Sequence, residues 1–256
     1  GGTVTATSDG ETGVGIGSGG SDDIGSLGAN GSFSTGENGQ AVIFASGERG
    51  GIQDTTKQGS WNGVIFQGDE GKLYGTTITP IENFSIPADK TLVIEENKTL
   101  TLSQGVTLTS NGVLTNSGSL ANEGTLANEG TLTNNGILAN NGTLINNGVL
   151  TTEGTLTNSG TIQNEGAIVY YDTVPGGIVS GNGAVLDGDS PVSYVDETGA
   201  SQTCATYTLV TPNATSWTGG AADGGWYVAV GNITLGSRTI VTGIVNLILT
   251  DGCTLT

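Results

Sequence analysis

Residues 113–166 read VLTNSG SLANEG TLANEG TLTNNG ILANNG TLINNG VLTTEG TLTNSG TIQNEG, nine consecutive hexads. Leu or Ile holds one phase throughout, at Leu114, Leu120, Leu126, Leu132, Leu138, Leu144, Leu150, Leu156 and Ile162, and Ile168 continues it. Asn stands two residues later, at Asn116, Asn122, Asn128, Asn134, Asn140, Asn146, Asn158 and Asn164, with Thr152 the one substitution. Gly closes every hexad from Gly118 to Gly166. An even period suits a strand, whose residues i and i+2 share a face. Leu and Asn therefore project inward together, and the residue between them faces water. A helix would lose about 1 kcal/mol at each repeated Gly, and six residues do not match its 3.6-residue turn. Each hexad is expected to be one short strand and one bend, with Gly supplying either a positive φ or a close backbone approach.

One such strand buries a single Leu, so stability must come from stacking coil on coil. Three hexads per coil make 18 residues a turn, with parallel strands about 4.8 Å apart. Identical Asn side chains, each with an amide donor and a carbonyl acceptor, then stack into inward ladders, which disfavours a ligand-binding role for them. The predicted fold is all-β, a parallel β-helix or β-solenoid. A right-handed winding is expected, although hexads also occur in left-handed helices.

Outward from the hexads the spacing loosens. Phe84-x-Ile86, Leu92-x-Ile94, Leu100-x-Leu102 and Val106-x-Leu108 read as earlier inward pairs. Ile233-x-Leu235 and Val245-x-Leu247-x-Leu249 read as later ones, with Ile233 to Cys253 forming one coil of 20 residues. The expected organisation is a Gly-rich set of N-terminal coils at 1–79, a regular solenoid at 80–170, and C-terminal coils at 171–256 with a looser excursion around Pro191 and Pro212.

The composition agrees with this reading. The chain has 256 residues, of which 46 are Gly and 39 Thr, with no Met and no His. Gly at 46 of 256 is more than twice the usual share of about 7%, but it does not fall in collagen triplets. Gly sits at corners and Thr at solvent-facing strand positions. A chain without Met is expected to be a processed or internal piece of a longer protein. Both ends read as solenoid interior, so a unit of a longer array or a head-to-tail filament is expected, with the protein itself as partner.

A formal charge of −18, from 24 acidic and six basic residues, repels phosphate backbones and anionic lipid heads, which argues against nucleic acid and direct membrane binding. No run of about 18 apolar residues is present to span a membrane. Asp22-Asp23, Asp69-Glu70 and Asp187-x-Asp189 could ligate Ca²⁺ only with incomplete donor sets, so no cofactor is expected. Cys204 and Cys253 permit one disulfide, provided that Cys204 lies on an excursion from the coils.

An enzyme is the serious rival, since parallel β-helices host polysaccharide lyases and hydrolases. Asp187 and Asp189 are the nearest carboxylate pair, but the chain has no His and only two Arg, Arg49 and Arg238, so no catalytic residues are assigned and the chain is read as not an enzyme. Trp217, Trp226 and Tyr227 are candidates for glycan contact, weighed against packing at loosened corners. An ice-binding plane is disfavoured, because outward Thr in every third hexad is interrupted by Ala127, Ile145 and Gln163.

The x-L-x-N-x-G hexads, IPADKTLVIEENKTLTL at 86–102 and VNLILTDGCTLT at 245–256 resemble the large repetitive cell-surface proteins of Gram-positive anaerobic bacteria and, more distantly, haemagglutinin-type β-helical adhesins. The resemblance implies a secreted bacterial protein at the cell surface or in a filament, structural or adhesive, that meets a glycan or a host surface. The alternative is a carbohydrate-binding or polysaccharide-processing β-helix.

Overall fold

In each hexad the alternation of large apolar and small polar residues becomes a four-residue strand with Leu and Asn inside. The computed structural model describes residues 2–7, 35, 40–46, 52, 61–171, 178–212, 214–219, 224–250 and 253–256. Among these the chain forms thirty strands, numbered β1 to β30 along the sequence, and no helix. The nine hexad strands are β10 (Val113–Asn116), β11 (Ser119–Asn122), β12 (Thr125–Asn128), β13 (Thr131–Asn134), β14 (Ile137–Asn140), β15 (Thr143–Asn146), β16 (Val149–Thr152), β17 (Thr155–Asn158) and β18 (Thr161–Asn164). β10 to β16 each pair in parallel with the strand three further on, Leu114 opposite Leu132 and Leu132 opposite Leu150, so a coil is 18 residues. The fold is a parallel β-solenoid with three faces.

The first face contains β4 (Glu70–Tyr74), β7 (Thr91–Ile94), β10, β13, β16, β19 (Ala167–Tyr170) and β21 (Ala184–Asp187). The second holds β5 (Thr77–Ile78), β8 (Thr99–Leu102), β11, β14 and β17. The third holds β6 (Phe84–Ile86), β9 (Thr107–Ser110), β12, β15, β18 and β20 (Ile178–Ser180). Leu columns from the three faces merge into one core in which Leu114, Leu120, Leu126, Leu132, Leu138, Leu144 and Leu150 are fully buried. Each contributes roughly 2 kcal/mol by leaving water. Leu156, on the outermost strand of the second face, is only partly covered.

The hexad glycines are required by close approach rather than by a positive φ, which none of them adopts. A Cβ on Gly142 would collide with the Gly124 carbonyl oxygen one coil below, and one on Gly160 with that of Gly142. That same carbonyl of Gly124 accepts the Thr143 N–H at 2.9 Å, so the corners stack as tightly as the strands.

Below the hexads the unit is eight residues. Phe84, Leu92, Leu100 and Leu108 point inward, as do Ile86, Ile94, Leu102 and Ser110. The inward pair of β9 is therefore Leu108 and Ser110, and Val106 belongs to the corner, a correction to the pairing read from the sequence. Hydrogen-bonded turns make the longer corners, Lys98 N–H to Glu95 O at 3.1 Å and Val106 N–H to Ser103 O at 2.9 Å. Asn97 and Gly105 hold the third turn position with φ of 61° and 84°, as a left-handed residue there requires.

The N-terminal strands extend the first face after a reversal. β1 (Gly2–Thr7), β2 (Ala41–Ser46) and β3 (Gly63–Gln67) are mutually parallel, but β3 meets β4 as an antiparallel hairpin. Gly71 gives the Phe66 ring its space, since a Cβ there would strike it. Val64 and Phe66 join the main core, while Ile65 packs on the opposite face with Ile43, Ala45, Ile52 and Trp61. Ile52 and Trp61, before β3, thus cover the face that is outermost in the hexad coils.

Beyond β21 the chain leaves the stack. β22 (Val192–Val195) and β23 (Ser201–Cys204) form an antiparallel hairpin just after Pro191. A second, smaller parallel stack follows. Its faces are β24 (Thr208–Leu209), β26 (Gly225–Ala229) and β29 (Val245–Leu249); β25 (Ser216–Thr218) and β28 (Ile240–Thr242); and β27 (Asn232–Ile233) with β30 (Thr254–Leu255). Ile233 pairs with Leu255, so this coil is 22 residues rather than one closing at Cys253. In β29 Val245 packs into the core of the second stack, the inward phase expected. Leu247 and Leu249 share that phase, over Tyr227 and Ala229, but are exposed on this outermost strand, while Ile248 of the opposite phase is buried against the first stack.

The second stack lies against the flank of the first. Val149 and Ala167, which face outward from β16 and β19, are each 1% exposed and share a cluster with Cys204, Val228, Val230 and Ile248. Gly231 approaches the Gly166 corner so closely that a Cβ would meet its carbonyl oxygen at 2.6 Å.

Candidate functional site

The inward polar residues form three ladders. Asn116 donates from Nδ2 to Asn134 Oδ1 at 2.7 Å, Asn122 to Asn140 at 2.7 Å, Asn128 to Asn146 at 2.7 Å, Asn140 to Asn158 at 2.6 Å and Asn146 to Asn164 at 2.7 Å. The same Nδ2 also donates to a carbonyl at the start of the following strand on the next coil, as from Asn116 to Ile137 O at 2.8 Å. Asn116, Asn122, Asn128, Asn134, Asn140 and Asn146 each therefore tie two coils together twice. Thr152 ends one ladder: its Oγ1 accepts from Asn134 at 3.0 Å and donates to Gly154 O at 3.1 Å. All these bonds point the same way along the stack, a polarity that the sequence pattern does not carry. At the lower end Oδ1 of Asn116, Asn122 and Asn128 is buried without a hydrogen-bond partner. Beneath them lie Ile94, Leu102 and Ser110. Asn116 through Asn146 are fully buried, which leaves them a stiffening role and no access to a ligand.

The two cysteines are free. Cys204 does lie on an excursion, the β22–β23 hairpin, yet it packs against Val149 and Val228 and its thiol donates to Thr206 O at 3.3 Å. Cys253 packs in the core of the second stack near Trp217 and Ile233, where burial pushes its thiol pKa up. The disulfide permitted by the sequence is not formed, because each thiol is held by a different apolar cluster.

The aromatic candidates divide by strand phase. Trp217 and Tyr227, each 9% exposed, stack with ring centroids 5.5 Å apart inside the second stack. Tyr227 Oη accepts the Thr218 N–H at 2.8 Å. Neither offers a free ring face to a sugar. Trp226 points to the other side of β26 and meets Tyr194 of β22 at 5.0 Å, tilted by 49°. Tyr194 was not singled out from the sequence; the alternation of Val192 and Tyr194 in PVSYV was its available signal. Together they border an open groove of about 920 Å³ between the hairpin and β29.

The carboxylates are engaged in turns and corners. Asp187 accepts from Asp189 N and Ser190 Oγ at 3.0 Å each, closing a turn. Asp196 accepts from Thr198 Oγ1, Gln202 Nε2 and the Ala200 N–H, which hold its carboxyl well below the usual carboxylate range. Asp69 pairs with Lys90 Nζ at 3.4 Å, and Lys90 also donates to Gly68 O at 2.9 Å. Asn141 and Asn147 donate to Glu123 and Glu129 on the coil below at 2.8 and 2.9 Å. Asp22, Asp23 and Arg49 lie outside the described residues. Among the described residues no three His, Cys, Asp or Glu side chains converge as a metal site, and no helix is long and apolar enough to cross a membrane, which says nothing of a β-barrel. Comparison with family models, curated proteins and solved structures gives no match, so the chemistry of these residues is what a functional reading has to rest on.

Proposed function

We propose that the chain is a structural or adhesive β-solenoid of the bacterial cell exterior, a stiff element that assembles end to end into longer filaments. The observation that supports this best is the use made of its side chains. Within the hexads Leu or Ile columns run at 18-residue spacing, with Asn beside them at every position but Thr152, so the repeat invests its large residues in stiffness along one axis. Secretion is supported by the resemblance to repetitive cell-surface proteins. The carbohydrate reading keeps only Trp226 of its three aromatic residues, because Trp217 and Tyr227 are in the core of the second stack.

Electron microscopy and light scattering of the purified chain over a wide concentration range test the proposal. Filaments whose length grows with concentration are expected; discrete monomers at every concentration would overturn assembly.

A further inference from the structure

The groove beside Tyr194 and Trp226 joins an aromatic pair to neutral polar side chains. Parallel pairing of β26 with β29 sets Asn246 opposite Trp226, so the amide and the indole stand side by side on one face, on strands about 4.8 Å apart. Gly224 packs on that amide, since a Cβ there would lie 2.5 Å from Asn246 Nδ2. The Tyr194 ring meets the indole at 5.0 Å and 49°, which makes the two rings one angled apolar surface. Both residues are partly exposed and both line the groove. The hairpin adds Ser193 and Ser201, which are exposed. No lining residue is an acid or a base, in a chain of formal charge −18.

We infer that this groove binds an uncharged oligosaccharide. This rests on the adhesive side of the function proposed above and goes further by naming the ligand class and the residues that hold it; end-to-end assembly does not depend on it. A pyranose with equatorial hydroxyls carries them around its rim and presents C–H bonds on its faces. Those faces are apolar and slightly positive, so they settle on the negative face of an aromatic ring. The rim hydroxyls both donate and accept, as do an Asn amide and a Ser hydroxyl, so Asn246, Ser193 and Ser201 match them without a charge. Tyr194 thereby takes the place of Trp217 and Tyr227, whose rings are in the core of the second stack. The volume of about 920 Å³ lies at the upper end of ordinary ligand sites, roughly 300–1,000 Å³, so the groove suits several linked sugars rather than one. A carboxylated or sulfated sugar finds no Lys or Arg in the lining and is repelled by the net charge of the molecule.

The test applies the full chain to an array of uncharged, carboxylated and sulfated oligosaccharides, beside Trp226→Leu, Tyr194→Leu and Ser193→Lys. Leu keeps an apolar side chain against the seam that both aromatic residues border while removing the ring, and an unchanged circular dichroism melt shows that a variant is folded. Binding confined to uncharged oligosaccharides is expected, weakened about tenfold by the loss of either ring. Ser193→Lys alters an exposed position and leaves both rings in place, so it is the variant to read if the Leu variants melt early; it is expected to admit carboxylated and sulfated sugars. No binding to any uncharged oligosaccharide, equal binding of acidic ones by the unaltered chain, or binding that folded variants leave unchanged would each overturn the inference. Filaments without sugar binding would overturn it while leaving end-to-end assembly standing, and sugar binding by discrete monomers would do the reverse.

Discussion

Asn140 shows why one residue type holds its place for three coils. It accepts from Asn122 at 2.7 Å and donates to Asn158 Oδ1 at 2.6 Å and Thr161 O at 3.1 Å. A buried Leu could fill the volume but would leave the Thr161 carbonyl without that donor. The direction of the ladders has a cost at their lower ends, where Asn128 Oδ1 and the hydroxyl of Ser110 directly beneath are both buried and unpaired. Ser110→Asn is expected to extend that ladder by one rung, turning two unpaired buried groups into one. A gain of about 1 kcal/mol follows from one net hydrogen bond, read as a higher denaturant midpoint at unchanged slope; a lower midpoint would show that the corner cannot accept the larger side chain. The inward Asn and their 18-residue stacking were legible in the repeat itself. Ser110 was not, because a Ser in an apolar column looks like a corner residue. Only the constant eight-residue step through 84, 92, 100 and 108 places it inside.

The hexad, rather than the coil, is the element that can be gained or lost. All nine strands end in the same two-residue bend, and the corner bonds repeat with the same partners, as in Gly142 N–H to Asn122 O at 2.8 Å and Gly160 N–H to Asn140 O at 3.0 Å. Deleting residues 119–124 moves every later hexad back by one face onto an equivalent strand. The β-type circular dichroism should persist with a cooperative melt lowered by a few degrees, since roughly 1 kcal/mol shifts Tm by about 2–4 °C at this size. Deleting Gly124 alone is expected to be far worse, because it leaves one residue for the bend and a one-residue slip turns Leu and Asn outward. Equal melts for the two deletions would refute the hexad as the unit. Strand type was legible here because apolar residues occupy a single phase. In β29, VNLIL carries apolar residues in both phases, so the sequence does not say which faces inward. The structure resolves this by giving the strand two apolar environments: Ile248 packs toward the flank of the first stack, and Val245 toward the core of the second.

At the scale of the whole molecule the chain doubles back, and this was not legible because the contact is made by residues in solvent-facing phase. Val149 occupies the same hexad position as Val113 two coils below, and the register Val113, Thr131, Val149 places all three in one outward row of the first face. Nothing in the hexad distinguishes them, yet Val149 is 1% exposed beneath Val228, Val230 and Ile248, whereas Val113 is half-buried. Val149→Asp therefore leaves the inward columns untouched while placing a carboxylate in the apolar seam between the stacks. An unpaired charge there is expected to cost about 3 kcal/mol or more, enough to free the second stack without unfolding the first. Limited proteolysis should then release a C-terminal fragment, and Trp226, which packs against this seam, should shift its fluorescence to the red, with most of the β-type circular dichroism retained. Val113→Asp is the matched control and should change neither readout. If both variants behave alike, the flank contact does not hold the two stacks together; if Val149→Asp melts the whole chain in one step, the stacks are a single cooperative unit.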